Sequence, residues 1–123
     1  MIKQLLISFP LFLMGSSALA DVLKFECLFD RRWSPDGIAS DNFSMVFNYD
    51  SLANKAFMVG NVGVEEVYPI RGYQGLSFIE VLQTGAVQTT TISNEGAAVH
   101  SRNSMIGGEF VPSQYGGTCR ITR

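Results

Sequence analysis

Cys27 and Cys119 are the only two cysteines in the 123-residue chain, and they lie 92 positions apart near its two ends. Each sits inside a run that alternates apolar and polar residues. In Val22 to Phe29 the side chains of Leu23, Phe25, Cys27 and Phe29 share one face, with Lys24 and Glu26 on the other. In Gly116 to Thr122, Gly117, Cys119 and Ile121 oppose Thr118 and Arg120. A period of two marks a half-buried β-strand, so both cysteines are expected on buried faces. A metal or redox pair needs closer spacing or histidine partners; this pair has neither and reads as a structural disulfide. Bridged Cα atoms lie within about 7 Å, so the first and last strands must meet.

Between them the sequence alternates again and again. Phe43, Met45, Phe47 and Tyr49 repeat the pattern against Ser44, Val46 and Asn48. Lys55 to Gly60, Val64 to Ile70, Leu76 to Leu82, Ala86 to Ile92 and Ala97 to Arg102 follow as short strands. They are separated by turn chemistry: Asp50 to Asn54, Gly60-Asn61, Arg71 to Gly75, Thr84-Gly85 and Asn94 to Gly96. Glu65-Glu66 interrupts its alternation, which predicts a β-bulge there, and Pro69 restricts the end of that strand to an edge or a bend. The expected fold is all-β: an antiparallel meander of about eight strands forming a small closed or flattened barrel, with its first and last strands joined by the disulfide. A Greek-key sandwich also places such strands side by side.

The first twenty residues predict a cleaved leader. Lys3 precedes a short apolar run from Leu5 to Met14, and Ala18-Leu19-Ala20 offers the small residues that signal peptidase requires. Cleavage is expected between Ala20 and Asp21, delivering residues 21–123 as a single domain to the periplasm or the exterior. The chain carries nine basic against eleven acidic residues, net −2, and Lys3 leaves with the leader. That balance argues against nucleic acid and anionic membrane surfaces as partners, since both recruit basic stripes. An apolar content of 46% argues against disorder.

Little in the chain points to catalysis. The single histidine, His100, falls beside Arg102 on what reads as the polar face of its strand, so a solvated, surface histidine is expected. Ser101 is adjacent and points the other way, and no catalytic residue is assigned. Glu65 and Glu66 cannot both face one cleft in a regular strand. Asp30, Asp36 and Asp41 share one segment but lack the dense ligand spacing of a calcium loop, so neither metal nor cofactor is expected. Thr89-Thr90-Thr91 occurs once and reflects β-propensity.

Two irregular stretches stand out. Asp30 to Asn42 reads as the longest loop and carries Arg31, Arg32 and Trp33, residue types enriched at binding hot spots. Trp33 either plugs an open barrel end or anchors a partner. The stretch Asn103 to Tyr115 reads as a second loop packed across the barrel mouth. In a closed meander of even strand number these segments fall at one rim, which gathers Arg31, Arg32, Trp33, Arg102, Met105, Ile106 and Tyr115 as the candidate binding surface. The expected function is an exported, non-enzymatic binding or interaction module whose ligand the sequence does not identify, a lysozyme inhibitor being one version, with an envelope or extracellular protein as its expected partner. A lipocalin-like carrier of a small apolar ligand is the alternative, but Phe25, Phe43, Phe47, Phe57 and Phe78 suffice to fill a small barrel. A hydrolytic enzyme is the reading of a different class.

The stretches KAFMVGNVGVEEV, GAVQTTTI and AVHSRNSMIGGEFVPSQYGGTC resemble a group of small, uncharacterised exported proteins of bacteria, alphaproteobacterial in type. That resemblance implies export and brings no activity or functional residue. In architecture the chain is also similar to the MliC-type periplasmic lysozyme inhibitors, small disulfide-linked antiparallel barrels. Their recognition loop reads Ser-Gly-x-x-Tyr, a run this chain lacks; Tyr115-Gly116-Gly117-Thr118-Cys119 is a terminal-strand motif.

Overall fold

A computed structural model describes residues 22–123; the leader and its cleavage point lie outside the described residues. Eight strands follow in chain order: β1 (Val22–Ser34), β2 (Gly37–Asp50), β3 (Lys55–Gly60), β4 (Gly63–Arg71), β5 (Gly75–Val81), β6 (Val87–Ser93), β7 (Ala97–Ile106) and β8 (Glu109–Thr122). Each pairs antiparallel with the next, and β8 pairs with β1, giving the closed up-and-down barrel expected from the sequence.

The seam is held on both faces. Inside, Cys27 and Cys119 are direct cross-strand partners with Cα atoms 3.9 Å apart and are joined by the disulfide. Outside, one position along, Arg120 donates from Nε to Glu26 Oε1 at 3.1 Å. Arg120, and Lys24 after it, hold the Glu26 carboxyl below its ordinary range.

Alternation fills the interior as the sequence implies. Phe25, Phe29, Phe47, Tyr49 and Phe78 are buried, and Phe47 stacks on Phe78 at 4.4 Å between ring centroids. Phe43 completes the set by stacking on Phe29. Phe57 departs from expectation: Ala56 is fully buried, so Phe57, next along the strand, points outward and is 40% exposed. With large rings filling the bore, the barrel is a packed core.

Three local expectations are corrected. Asp30 to Asn42 is a hairpin: β1 and β2 run on to a two-residue turn at Pro35-Asp36, with Ser34 facing Gly37 and Ser34 Oγ accepting the Asp36 N–H. Asn103 to Tyr115 is likewise a hairpin, turned by Gly107-Gly108 at φ +60° and +83°, values that suit a primed two-residue turn. Pro112 is tolerated in it because the β8 register against β1 ends at Gln114, so nothing on that side requires its N–H. Finally, β3 and β4 pair in unbroken register through Glu65 and Glu66, so no bulge lies there. Pro69 does sit where β4 has passed the last pairing with β3, at Val67.

The bulge occurs instead in β1. Between Phe29 and Arg31 the strand advances two residues while β8 advances one, from Gly117 to Gly116, so Asp30 is the extra residue. Gly117 faces this kink so closely that a Cβ there would lie 2.0 Å from the Leu28 carbonyl oxygen. Glycine is required at that position.

Candidate functional site

The two long hairpins make one side of the barrel taller than the other. β3 pairs with only Val46 to Asp50 of β2, and β6 pairs with β7 only as far as Arg102. Above those levels β7, β8, β1 and β2 continue alone as a raised, curved wall. The turns around Asp50 to Asn54, Arg71 to Gly75 and Asn94 to Gly96 lie at the opposite end, as the antiparallel order dictates.

The β1 bulge decides which side of this wall each candidate residue serves. Were Asp30 a regular strand position, alternation would carry the inward face of Phe25, Cys27 and Phe29 on to Arg31 and Trp33. The extra residue inverts the phase. Arg32 is then the partner of buried Tyr115 and faces the barrel axis, while Arg31 pairs with Gly116 and Trp33 with Gln114 on the outside. The seven sequence candidates are brought to one end of the barrel but split between two faces. Arg32, Arg102, Ile106 and Tyr115 belong to the inner one. Arg31 and Trp33 belong to the outer, as does Met105 by its place in the β7 alternation. Trp33 is no plug in the barrel mouth.

On the outer face, Ser77, Thr91, Val99, Gly116 and Arg31 form an in-register row across five strands. Gly116 leaves a gap in that row, and the Trp33 ring leans over it: a Cβ at Gly116 would come within 2.8 Å of the indole. The Arg31 guanidinium carbon lies 5.4 Å from the same ring's centroid, a cation–π contact. Opposite stands the β4–β5 turn, carrying Ile70, Arg71 and Tyr73, the last 89% exposed. The cleft between them has a volume of about 700 Å³.

The inner face closes on a polar cluster at the mouth. His100 is only 1% exposed, so the expectation of a surface histidine is overturned: Ala98, His100 and Arg102 form the inward set of β7, and Val99 points out. Arg102 Nε donates to His100 Nε2 at 3.1 Å. Because a guanidinium can only donate, the ring proton resides on Nδ1, which donates to Thr90 Oγ1 at 2.7 Å. Burial, and then the charge of Arg102, push the His100 pKa down to about 4, so the ring is neutral at physiological pH. Arg102 is held in place by two further rings, its guanidinium carbon 5.0 Å from the Phe43 centroid and 4.9 Å from that of Tyr115.

Across the mouth, Glu80 is buried and faces Glu65. Burial first, then hydrogen bonding to Glu65 and its charge, raise the Glu80 carboxyl above its ordinary range, opposed by Arg102. Glu80, Thr90 and His100 did not enter the sequence-derived candidate set. The signal existed in Leu76, Phe78 and Glu80 at spacing two, which places a carboxyl on the Phe78 face. Among the described residues, no group of three or more His, Cys, Asp or Glu side chains is arranged to hold a metal ion.

The chain is thus an eight-stranded up-and-down β-barrel, disulfide-closed, with a tryptophan-walled cleft outside and a charged mouth inside. Comparison with protein-family models, with curated proteins and with solved structures gave no match.

Proposed function

We propose that this protein is an exported, non-enzymatic binding module that docks a protein partner in the outer cleft, with Trp33 as its anchor. The observation that carries the reading is the orientation of Trp33. A bulge turns the chain's one tryptophan out of the barrel and onto a cleft of about 700 Å³, beside Arg31 and opposite Tyr73. Trp, Tyr and Arg around a well-formed concavity are the composition of interface hot spots. Arg31 and Arg71, both on the cleft lining, suit a partner segment that offers a carboxylate next to an aromatic or aliphatic side chain. Export is supported by the leader sequence, and a disulfide is consistent with an oxidising compartment.

Affinity capture from periplasmic extract, using oxidised residues 21–123, is the test. Lysozyme is the first purified partner to try, given the architectural resemblance. Trp33→Ala should weaken capture by about 2 kcal/mol, roughly thirtyfold, while leaving the circular-dichroism spectrum and melting temperature near those of wild type. Undiminished affinity in that variant contradicts the assignment. Turnover of a substrate by the wild-type protein would contradict the non-enzymatic part.

A further inference from the structure

The inner face of the raised wall carries a hollow of about 380 Å³, separate from the outer cleft, whose lining changes character from base to lip. At the base are the guanidinium groups of Arg32 and Arg102. Above them come the hydroxyls of Ser34, Ser104 and Ser113. At the lip stand Ile106, Phe110 and Val111, all exposed. We propose that this hollow is a second binding site, for a small amphipathic carboxylate, its head held between Arg32 and Arg102 and its chain laid along Ile106, Phe110 and Val111.

The two arginines are prepared differently for such a head group. Arg102 is preorganised: Nε is committed to His100, and the guanidinium plane is held against Phe43 and Tyr115. Arg32 is under-satisfied. Its Nε–H is shut off from solvent and has no hydrogen-bond partner, and its contact with Asp41 is 4.0 Å, too long for a charge-assisted hydrogen bond. A buried donor without an acceptor is costly. Swinging the guanidinium onto a carboxylate seated in the hollow satisfies Nε and Nη together in the bidentate geometry that arginine favours.

The surrounding carboxylates do not fill this role. Asp36 lines the hollow near the β1–β2 turn, Asp41 makes only the long contact, and Glu65 and Glu80 are turned on each other. Beneath the arginines the bore is blocked by Phe29 and Phe43, stacked at 5.0 Å, so a ligand chain cannot run down the barrel axis. It must rise to the lip, where uncovered apolar side chains await it. A purely hydrophilic anion would leave that lip bare, and an amphipathic cation would meet two guanidinium groups.

Decanoate is a suitable probe, titrated into oxidised, isotope-labelled protein and followed by amide and arginine Nε–H NMR signals. Saturable shifts are expected at Arg32 and Arg102 and along the hairpin from Ser104 to Ser113. Acetate and inorganic phosphate should bind about tenfold or more weakly, and decyltrimethylammonium should not shift these signals. Arg32→Met should weaken decanoate by about tenfold. Arg102→Met should do the same; because Arg102 also supports His100, Arg32→Met is the variant that decides if the other misfolds. Shifts confined to the Trp33 cleft overturn the proposal. So does equal binding of the decyl cation, binding by phosphate as tight as by decanoate, failure to saturate, or decanoate affinity unchanged in Arg32→Met.

Discussion

Replacing Cys27 and Cys119 together by alanine lowers the stability of the barrel by about 4–5 kcal/mol, read from urea unfolding of the oxidised wild type against the double variant. The size follows from chain entropy. The bond closes a loop of 92 positions, and denying the unfolded chain the freedom of so long a loop is worth roughly that much. Topology concentrates the effect at one place, because β1 and β8 are the pair that closes the barrel and the pair most distant in sequence. A domain of this size has about 5–15 kcal/mol in all, so the unbridged chain is expected to be marginal. A disulfide at this seam is consistent with an oxidising compartment. Wild-type protein treated with a thiol reductant should unfold like the double variant. A double variant within about 1 kcal/mol of wild type would show that strand pairing alone closes the barrel.

Acidification should destabilise the protein through His100. The ring is buried neutral, with its pKa pushed down to about 4 from an ordinary 6.5. Between those values the unfolded chain binds a proton that the folded chain refuses, so stability falls as pH falls from 6.5 to 4 and levels off below. At roughly 1.4 kcal/mol per unit the loss is about 3 kcal/mol. Glu80 acts in the opposite direction. Its folded pKa is raised, so its contribution is fully present below the unfolded value and is lost as pH rises through the folded one. The clean observable is therefore the difference between wild type and His100→Gln, whose amide can accept from Arg102 and donate to Thr90 without titrating. The variant should lack the acid-side loss across pH 4–6.5. Identical pH profiles would mean that the histidine takes up its proton in the folded barrel.

The barrel itself was legible because the period-two pattern and the cysteine faces agree, and agreement between local pattern and covalent topology leaves few folds open. What the sequence concealed has one main physical cause. A β-bulge breaks the period on which such readings depend, and the bulge at Asp30 makes the hairpin that runs in unbroken register from Arg31 to Ser40 read as a loop. The same inversion hid that adjacent residues serve opposite faces, with Trp33 outside and Arg32 in the mouth. His100 was misplaced for another reason. In β7 the inward residue beside it is small, Ala98, and the outward one is apolar, Val99, so hydrophobicity named the wrong face. Only pairing with Thr90 and Tyr115 across the neighbouring strands fixes it. Gly107-Gly108 and Pro112 suggested an irregular segment. They are in fact the turn and the unpaired edge of a regular hairpin.

Trp33 is the chain's only tryptophan, so its fluorescence reports on the proposed anchor alone. Acrylamide quenching should be measured on the oxidised protein alone and then saturated with a captured partner. A half-buried indole on the outer cleft should be readily quenched in the free protein and shielded in the complex. An indole already resistant to acrylamide in the free protein, or one quenched equally with and without the partner, would contradict its role as the exposed anchor of the binding surface.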